Sequence, residues 1–218
     1  MADSWTFAFV DLAGFTALTD AHGDEHAIAT VKNFQEHVRR CLAPGDALVK
    51  TIGDAVMLAF PQPSEAMCAL ESILDAEHTE STGMLLPRAG AHHGAAIRDG
   101  DDFYGHAVNI AARVAAQAAG DQLLVTNAVA MAARDRGHVI THVGSVSLRN
   151  IAEPIDLYDV DLEHDHTDLA TDPVCLMRVP TSGDDSVSLS WKGRPIWFCG
   201  LPCVARFAAT PNEYTSRL

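Results

Sequence analysis

The 218-residue sequence is short of positive charge: Lys and Arg number 15 against 29 Asp and Glu, a net charge of −14. That balance excludes a general nucleic-acid or anionic-membrane surface, since either needs a basic face. A phosphate ligand stays compatible, because a local basic cluster or a metal overrides the global field. No run of about 18 apolar residues occurs, so no membrane span is expected. The opening MADSWTFAFVDLAG lacks a basic stretch followed by a long apolar one, so no secretory signal is predicted. Cysteines are few and odd in number (Cys41, Cys68, Cys175, Cys199, Cys203). Without an export signal, that points to a reducing cytoplasm, with thiols buried singly or used as metal ligands. Internal repeats and low-complexity tracts are also missing.

What is present is a core-forming chain, 48% hydrophobic and 20% charged, long enough for one full domain and a modest second one. WTFAFVDL reads as a buried strand with an acidic end. GFTALTDAHGDEHAIATVKNFQEHVRRCL has helical periodicity, with Ile28, Val31, Phe34 and Val38 on one stripe. DALVKTIGDAVMLAF reads as a hairpin, and PQPSEAMCALESILDAEHT as a helix starting behind its prolines and Ser64. RAGAHHGAAIRDGDDFYG follows as a strand and its turn, and HAVNIAARVAAQAA as an Ala-rich helix stopped by Gly120. QLLVTNAV, HVITHV and IDLYDV are further strands, with a short helix at AVAMAARD. The order is β-α-β-β-α-β with additions, which predicts an α+β, ferredoxin-like core with extra C-terminal α/β elements. The expected partition is a first domain over residues 1–162, an acidic linker over 163–170 and a small Cys-containing α+β tail over 171–218.

Polar residues in apolar surroundings mark the chemistry. Asp11 closes the first strand, and Asp54 follows Gly53 at the hairpin tip. Two carboxylates at adjacent strand ends repel unless a cation lies between them, and such hard oxygen sites suit Mg²⁺ or Mn²⁺. Taken singly, each Asp suits a turn as well as a metal. Asn109 and Arg113 are four apart on a helix and share a face, a pairing suited to a ribose and a transferring phosphoryl group, or to an ordinary solvated face.

Three stretches in order, FAFVDLAGFTALTD, VKTIGDAVMLAF and DDFYGHAVNIAARV, together resemble the class III adenylate/guanylate cyclase catalytic domain over residues 5–161. The resemblance implies that Asp11 and Asp54, with the Leu12 carbonyl, hold two metal ions, Mg²⁺ or Mn²⁺, in each active site. It puts Lys50 and Asp102 at the purine-selecting positions, where a Lys–Asp pair resembles adenylate cyclases. Asn109 would orient the ribose and Arg113 would stabilise the α-phosphate. Arg149 would contact the triphosphate, beside Asn150, where many relatives have Gly. The implied activity is conversion of ATP to 3′,5′-cyclic AMP and pyrophosphate in signal transduction. The implied partner is a second copy of the chain, in a homodimer whose sites draw the metal carboxylates from one subunit and the remaining contacts from the other. Lys50 and Asp54, four residues apart, would then serve different substrate molecules. The alternative is a non-catalytic nucleotide-binding or dimerisation module, or a metal sensor with a vestigial cyclase domain.

In the tail, TDPVCLMRV and IWFCGLPCVARFAATPNEY resemble the YHS domain, with Leu176 in place of the usual Gly after the first Cys. Cys199 and Cys203 are i,i+4 and can face Cys175 together. Three thiolates suit Zn²⁺ or Cu⁺, a second metal site, although three buried structural cysteines are an equal fit to the pattern. The linker histidines His164 and His166 read as solvated, and His92 and His93 as structural.

Overall fold

A computed structural model describes residues 3–75, 85–163, 168–183 and 186–217. The linker histidines and the middle of the linker lie outside the described residues. Chain contacts define two compact units. One is drawn from Met1–Leu12, Phe34–His78 and Pro87–His164, the other from Ala13–Asn33, Thr79–Leu86 and Asp165–Leu218. No helix among the described residues is long and apolar enough to cross a membrane.

The first unit is built on a mixed sheet. Strand β1 (Asp3–Leu12) lies between β3 (Ala55–Phe60) and β4 (Pro87–Asp99), antiparallel to both, and β2 (Ala47–Ile52) forms the hairpin edge on β3. Beyond β4 come β6 (Leu123–Val125), β8 (Ile155–Asp161) and β7 (Val139–Val146), while β5 (Asp102–Tyr104) folds back on the end of β4. The order β2-β3-β1-β4 is the ferredoxin-like arrangement expected from the sequence, and β6 to β8 are the extension.

Helix α3 (Pro63–Leu74) starts two positions earlier than a cap at Ser64 would set it. Gln62 is the N-cap, its backbone N–H donates to the Glu65 carboxylate at 2.9 Å, and Pro63 takes the first helical position. Strand β6 is also shorter than QLLVTNAV, because Thr126 leaves the sheet to precede α5 (Asn127–Asp135).

The predicted long N-terminal helix is two helices, α1 (Phe15–His22) and α2 (Asp24–Cys41), broken at Gly23 with φ of 82°. Ala27, Thr30, Phe34 and Val38 are buried, whereas Ile28, predicted inside, is 54% exposed.

Helix α4 (His106–Ala115) lies against β4 at unusually short range, and glycine makes this possible. A Cβ on Gly90 would fall 2.0 Å from the Ala115 nitrogen, and one on Gly94 would fall 2.9 Å from the Ala107 Cβ. The facing helix side chains, Ala107, Ala111 and Ala115, recur every four residues and are buried. The alanines therefore serve packing as well as helix propensity. Ile110 and Val114 flank this face and join a cluster with Leu124, Leu148 and Leu157.

Next to α4, His92 in β4 shares a 2.8 Å hydrogen bond with Thr126. Burial, with added repulsion from His93 and His106, pushes its pKa down to about 4. The unfolded chain takes up that proton near pH 6.5, so it binds more protons than the folded one across this window. Stability should therefore fall as pH drops from about 6.5 towards 4, by about 2 kcal/mol from this group after discounting its partial exposure. Urea unfolding across that range should show the slope, and His92→Gln should flatten it.

The second unit holds α1, the start of α2 and the tail. The tail contains a two-stranded pair, β9 (Leu169–Thr171) with β10 (Arg178–Pro180). The hairpin β11 (Val187–Trp191) and β12 (Arg194–Phe198) turns at Lys192–Gly193, both with positive φ. Helix α6 (Leu201–Ala209) completes it, followed by two 3₁₀ turns. Its core is aromatic: Phe207 touches Trp191, Phe198 and Tyr214 with ring centroids 5.4–6.0 Å apart. Leu176 adopts φ of 64°, a left-handed conformation that glycine takes without strain. Its side chain packs on Gly14 so closely that a Cβ there would lie 2.7 Å away.

Candidate active site

Asp11 and Asp54 reach the same end of the sheet from neighbouring strands. Val10 pairs with Val56, so the residues after β1 run alongside the Gly53–Asp54 turn of the β2–β3 hairpin. Gly53 has φ of 64°, which lets the turn close and presents Asp54 at its tip. Burial pushes the Asp54 carboxyl above its ordinary range; hydrogen bonds from its own and the Leu12 backbone N–H oppose this, and the Asp11 charge adds to it.

Arg88 was not singled out by sequence reasoning. It lies directly opposite Asp11 in the β1–β4 register and forks onto it, Nε to Oδ1 at 2.5 Å and the second arm to Oδ2 at 3.0 Å. Its remaining amino group donates to the Ala118 carbonyl at 3.1 Å. In the free protein this guanidinium supplies the positive charge that two converging carboxylates need. The carboxylates of Asp11 and Asp54 are hard oxygen donors of the kind that suit Mg²⁺ or Mn²⁺, and Leu12 meets Asp54 through its backbone N–H.

Lys50 of β2 and Asp102 of β5 are 52 positions apart in sequence yet joined by a forked ion pair, Nζ to Oδ1 at 2.8 Å and to Oδ2 at 2.7 Å. Hydrogen bonding to Lys50 and to the Phe103 N–H holds the Asp102 carboxyl below the usual carboxylate range. The Tyr104 ring lies 5.8 Å from the Lys50 ammonium.

Asn109 and Arg113 project from the exposed face of α4, opposite the alanine face. Among the described residues neither makes a side-chain hydrogen bond or ion pair, so both are free to meet a ligand. Arg149 is exposed too, in the loop before β8, and Asn150 beside it has φ of 62°, which explains why glycine suits that position in relatives. The first unit thus brings Asp11, Leu12 and Asp54 together in one group and Lys50 with Asp102 in another, and carries Asn109 and Arg113 on α4. Among the described residues, no hydrogen bond or ion pair joins Arg149 to either group.

The model of the adenylate and guanylate cyclase catalytic domain family matches residues 1–160. A pH-sensitive adenylate cyclase of Mycobacterium tuberculosis is 32% identical over 159 residues, 71% of this chain and 40% of that protein. The chain thus spans less than half the length of that relative. Among solved structures, an adenylate cyclase from Trypanosoma brucei in its monomeric state aligns over 90% of this chain and 95% of its own, with a TM-score of 0.63 and 25% identity. An adenylyl cyclase from P. aeruginosa aligns over 78% of this chain and 98% of its own, with a TM-score of 0.63 and 18% identity, a likeness of fold. Since the family match takes in every strand and helix of the extended ferredoxin-like sheet, the chain belongs to the adenylate and guanylate cyclase catalytic domain family.

Proposed function

We propose that the chain is an adenylate cyclase, forming 3′,5′-cyclic AMP and pyrophosphate from ATP in a homodimer with shared active sites. The observation that carries this reading is the meeting of Lys50 and Asp102. A cation and a carboxylate at one point offer a donor for a purine ring nitrogen and an acceptor for the adenine amino group. A guanine in the same place would present a carbonyl to the carboxylate, which repels it.

Asp11, Asp54 and the Leu12 carbonyl hold Mg²⁺ or Mn²⁺, which when bound supply acidification of the 3′-hydroxyl and neutralisation of phosphate charge. Asn109 fixes the ribose so that the hydroxyl lines up with the α-phosphate. Arg113 donates to the phosphate oxygens as negative charge gathers there, the positioning and charge neutralisation on which phosphoryl transfer depends. The cysteine spacing of residues 171–218 supports a YHS-like tail beside the cyclase unit.

The test is turnover of ATP and GTP by the purified chain with Mn²⁺ and with Mg²⁺, products separated by chromatography. Cyclic AMP should dominate, with faster turnover in Mn²⁺ and a preference for ATP of at least about tenfold. Asp102→Ala should erode that preference more than it lowers total turnover. Cyclic GMP as the main product, or no cyclic nucleotide from a folded dimer, would overturn the reading.

A further inference from the structure

Three thiols and one imidazole converge in the second unit, and the imidazole comes from far outside the tail. His22 ends α1, Cys175 lies in the turn between β9 and β10, Cys199 lies two residues before α6, and Cys203 is in its first turn. The Sγ atoms of Cys175 and Cys199 are 3.6 Å apart, and those of Cys199 and Cys203 are 3.5 Å apart. His22 Nε2 lies 3.4 Å from the Cys199 sulfur and 3.6 Å from that of Cys203. All four ligand atoms fall within 4.8 Å of one another. The geometry points to a single Zn²⁺ site in which His22 of α1 completes the coordination offered by Cys175, Cys199 and Cys203.

Tetrahedral zinc with Zn–S near 2.3 Å and Zn–N near 2.0 Å has edges of about 3.8 Å between sulfurs and about 3.5 Å between sulfur and nitrogen. The observed spacings are close to these edges and too tight for a cluster of several metals. Three sulfurs alone leave Zn²⁺ and Cu⁺ both open; a fourth, imidazole ligand in a tetrahedral set favours zinc. The surroundings are built to hold it. Asp172 is fully buried, accepts from the Val174 and Cys175 N–H groups through one oxygen and from the Cys199 N–H at 2.8 Å through the other, and so fixes both thiol-bearing loops. A small unit with a modest aromatic core also gains most from such a staple. Because α1 starts three positions after Leu12, the ion would tie the segment leaving the candidate catalytic carboxylates to the tail.

The experiment uses the full chain purified under reducing conditions, with elemental analysis for metal content and zinc competition against a chromophoric chelator. Expected results are one zinc per chain, loss of binding in Cys199→Ser, and zinc affinity at least about 100-fold weaker in His22→Ala. His22→Cys should restore tight binding with a fourth thiolate. His26→Ala should change nothing, although its ring stacks on His22 at 4.9 Å. Because His22 is at a half-exposed helix end, its variants test the site even where a cysteine variant misfolds. A chain that neither carries nor takes up zinc, or a His22→Ala variant of unchanged affinity, would overturn the proposal. Zinc binding is read without nucleotide, so it fails or stands separately from the cyclase reading.

Discussion

Chains carrying Asp54→Ala and chains carrying Arg113→Ala, each nearly inactive alone, should regain activity when mixed. In the proposed homodimer each active site takes its metal carboxylates from one subunit and its arginine from the other. Either substitution therefore disables both sites of its own homodimer, by about 100-fold or more for loss of a group that stabilises developing charge. In a mixed dimer both lesions fall in one site, and the other site is intact. Equal mixing with free exchange makes about half the dimers mixed, so about a quarter of the wild-type rate should return. Cyclic AMP production after mixing is the measurement, with light scattering to establish dimers of each variant. Absence of recovery from folded, exchanging dimers would rule out shared sites. The residues suit the test: Arg113 is on the exposed face of α4 and Asp54 is half-buried in a turn, outside the hydrophobic core, so neither substitution removes core packing.

Gly90→Ala should be among the most damaging single-methyl additions in the chain. The new Cβ would meet backbone, 2.0 Å from the Ala115 nitrogen and 2.3 Å from its Cα, and a helix axis cannot rotate away as a flexible side chain can. Overpacking of this kind costs about 3 kcal/mol, the upper end of its usual range, and should lower Tm by about 6–12 °C. The chain that does fold must carry α4 displaced, and with it Asn109 and Arg113. A shift near 1 Å in groups that position a reacting phosphate costs about 100-fold in turnover. Gly100→Ala is the matched control: it has positive φ but open space around it, so it should lose only the backbone term, about 1 kcal/mol. Thermal unfolding that moves no further for Gly90→Ala than for Gly100→Ala would refute the close-packing account.

The elements whose apolar period is strong were legible from sequence. Strand β1 and the β2–β3 hairpin read correctly because they are short apolar runs, wholly buried over Val56–Phe60, and α4 because its apolar residues recur at helical spacing. Asp11 and Asp54 stood out because each interrupts an apolar run where a strand ends. Arg88 did not, because its role depends on register: it faces Asp11 only once β1 and β4 are neighbours, 77 positions apart in sequence. His22 escaped for a similar reason. A histidine in the last turn of a helix reads as a complement to the helix dipole, and its thiol neighbours lie over 150 positions downstream. Ile28 was misplaced because the stripe was drawn through the largest apolar side chains, whereas the small Ala27 and Thr30 share the buried face of α2 with Phe34 and Val38.

The forked bond between Lys50 and Asp102 means that, at the proposed base-reading position, the free protein is its own competitor. A nucleobase can enter only when that bond opens, so measured affinity is the intrinsic affinity scaled by the open fraction. A base able to donate to the carboxylate and accept from the ammonium replaces both interactions at once. A base that satisfies one group alone leaves the other desolvated and unmatched, a loss that a pre-opened pair would not exact. Discrimination in this design is already set before substrate arrives, by two side chains that prefer each other to the wrong guest.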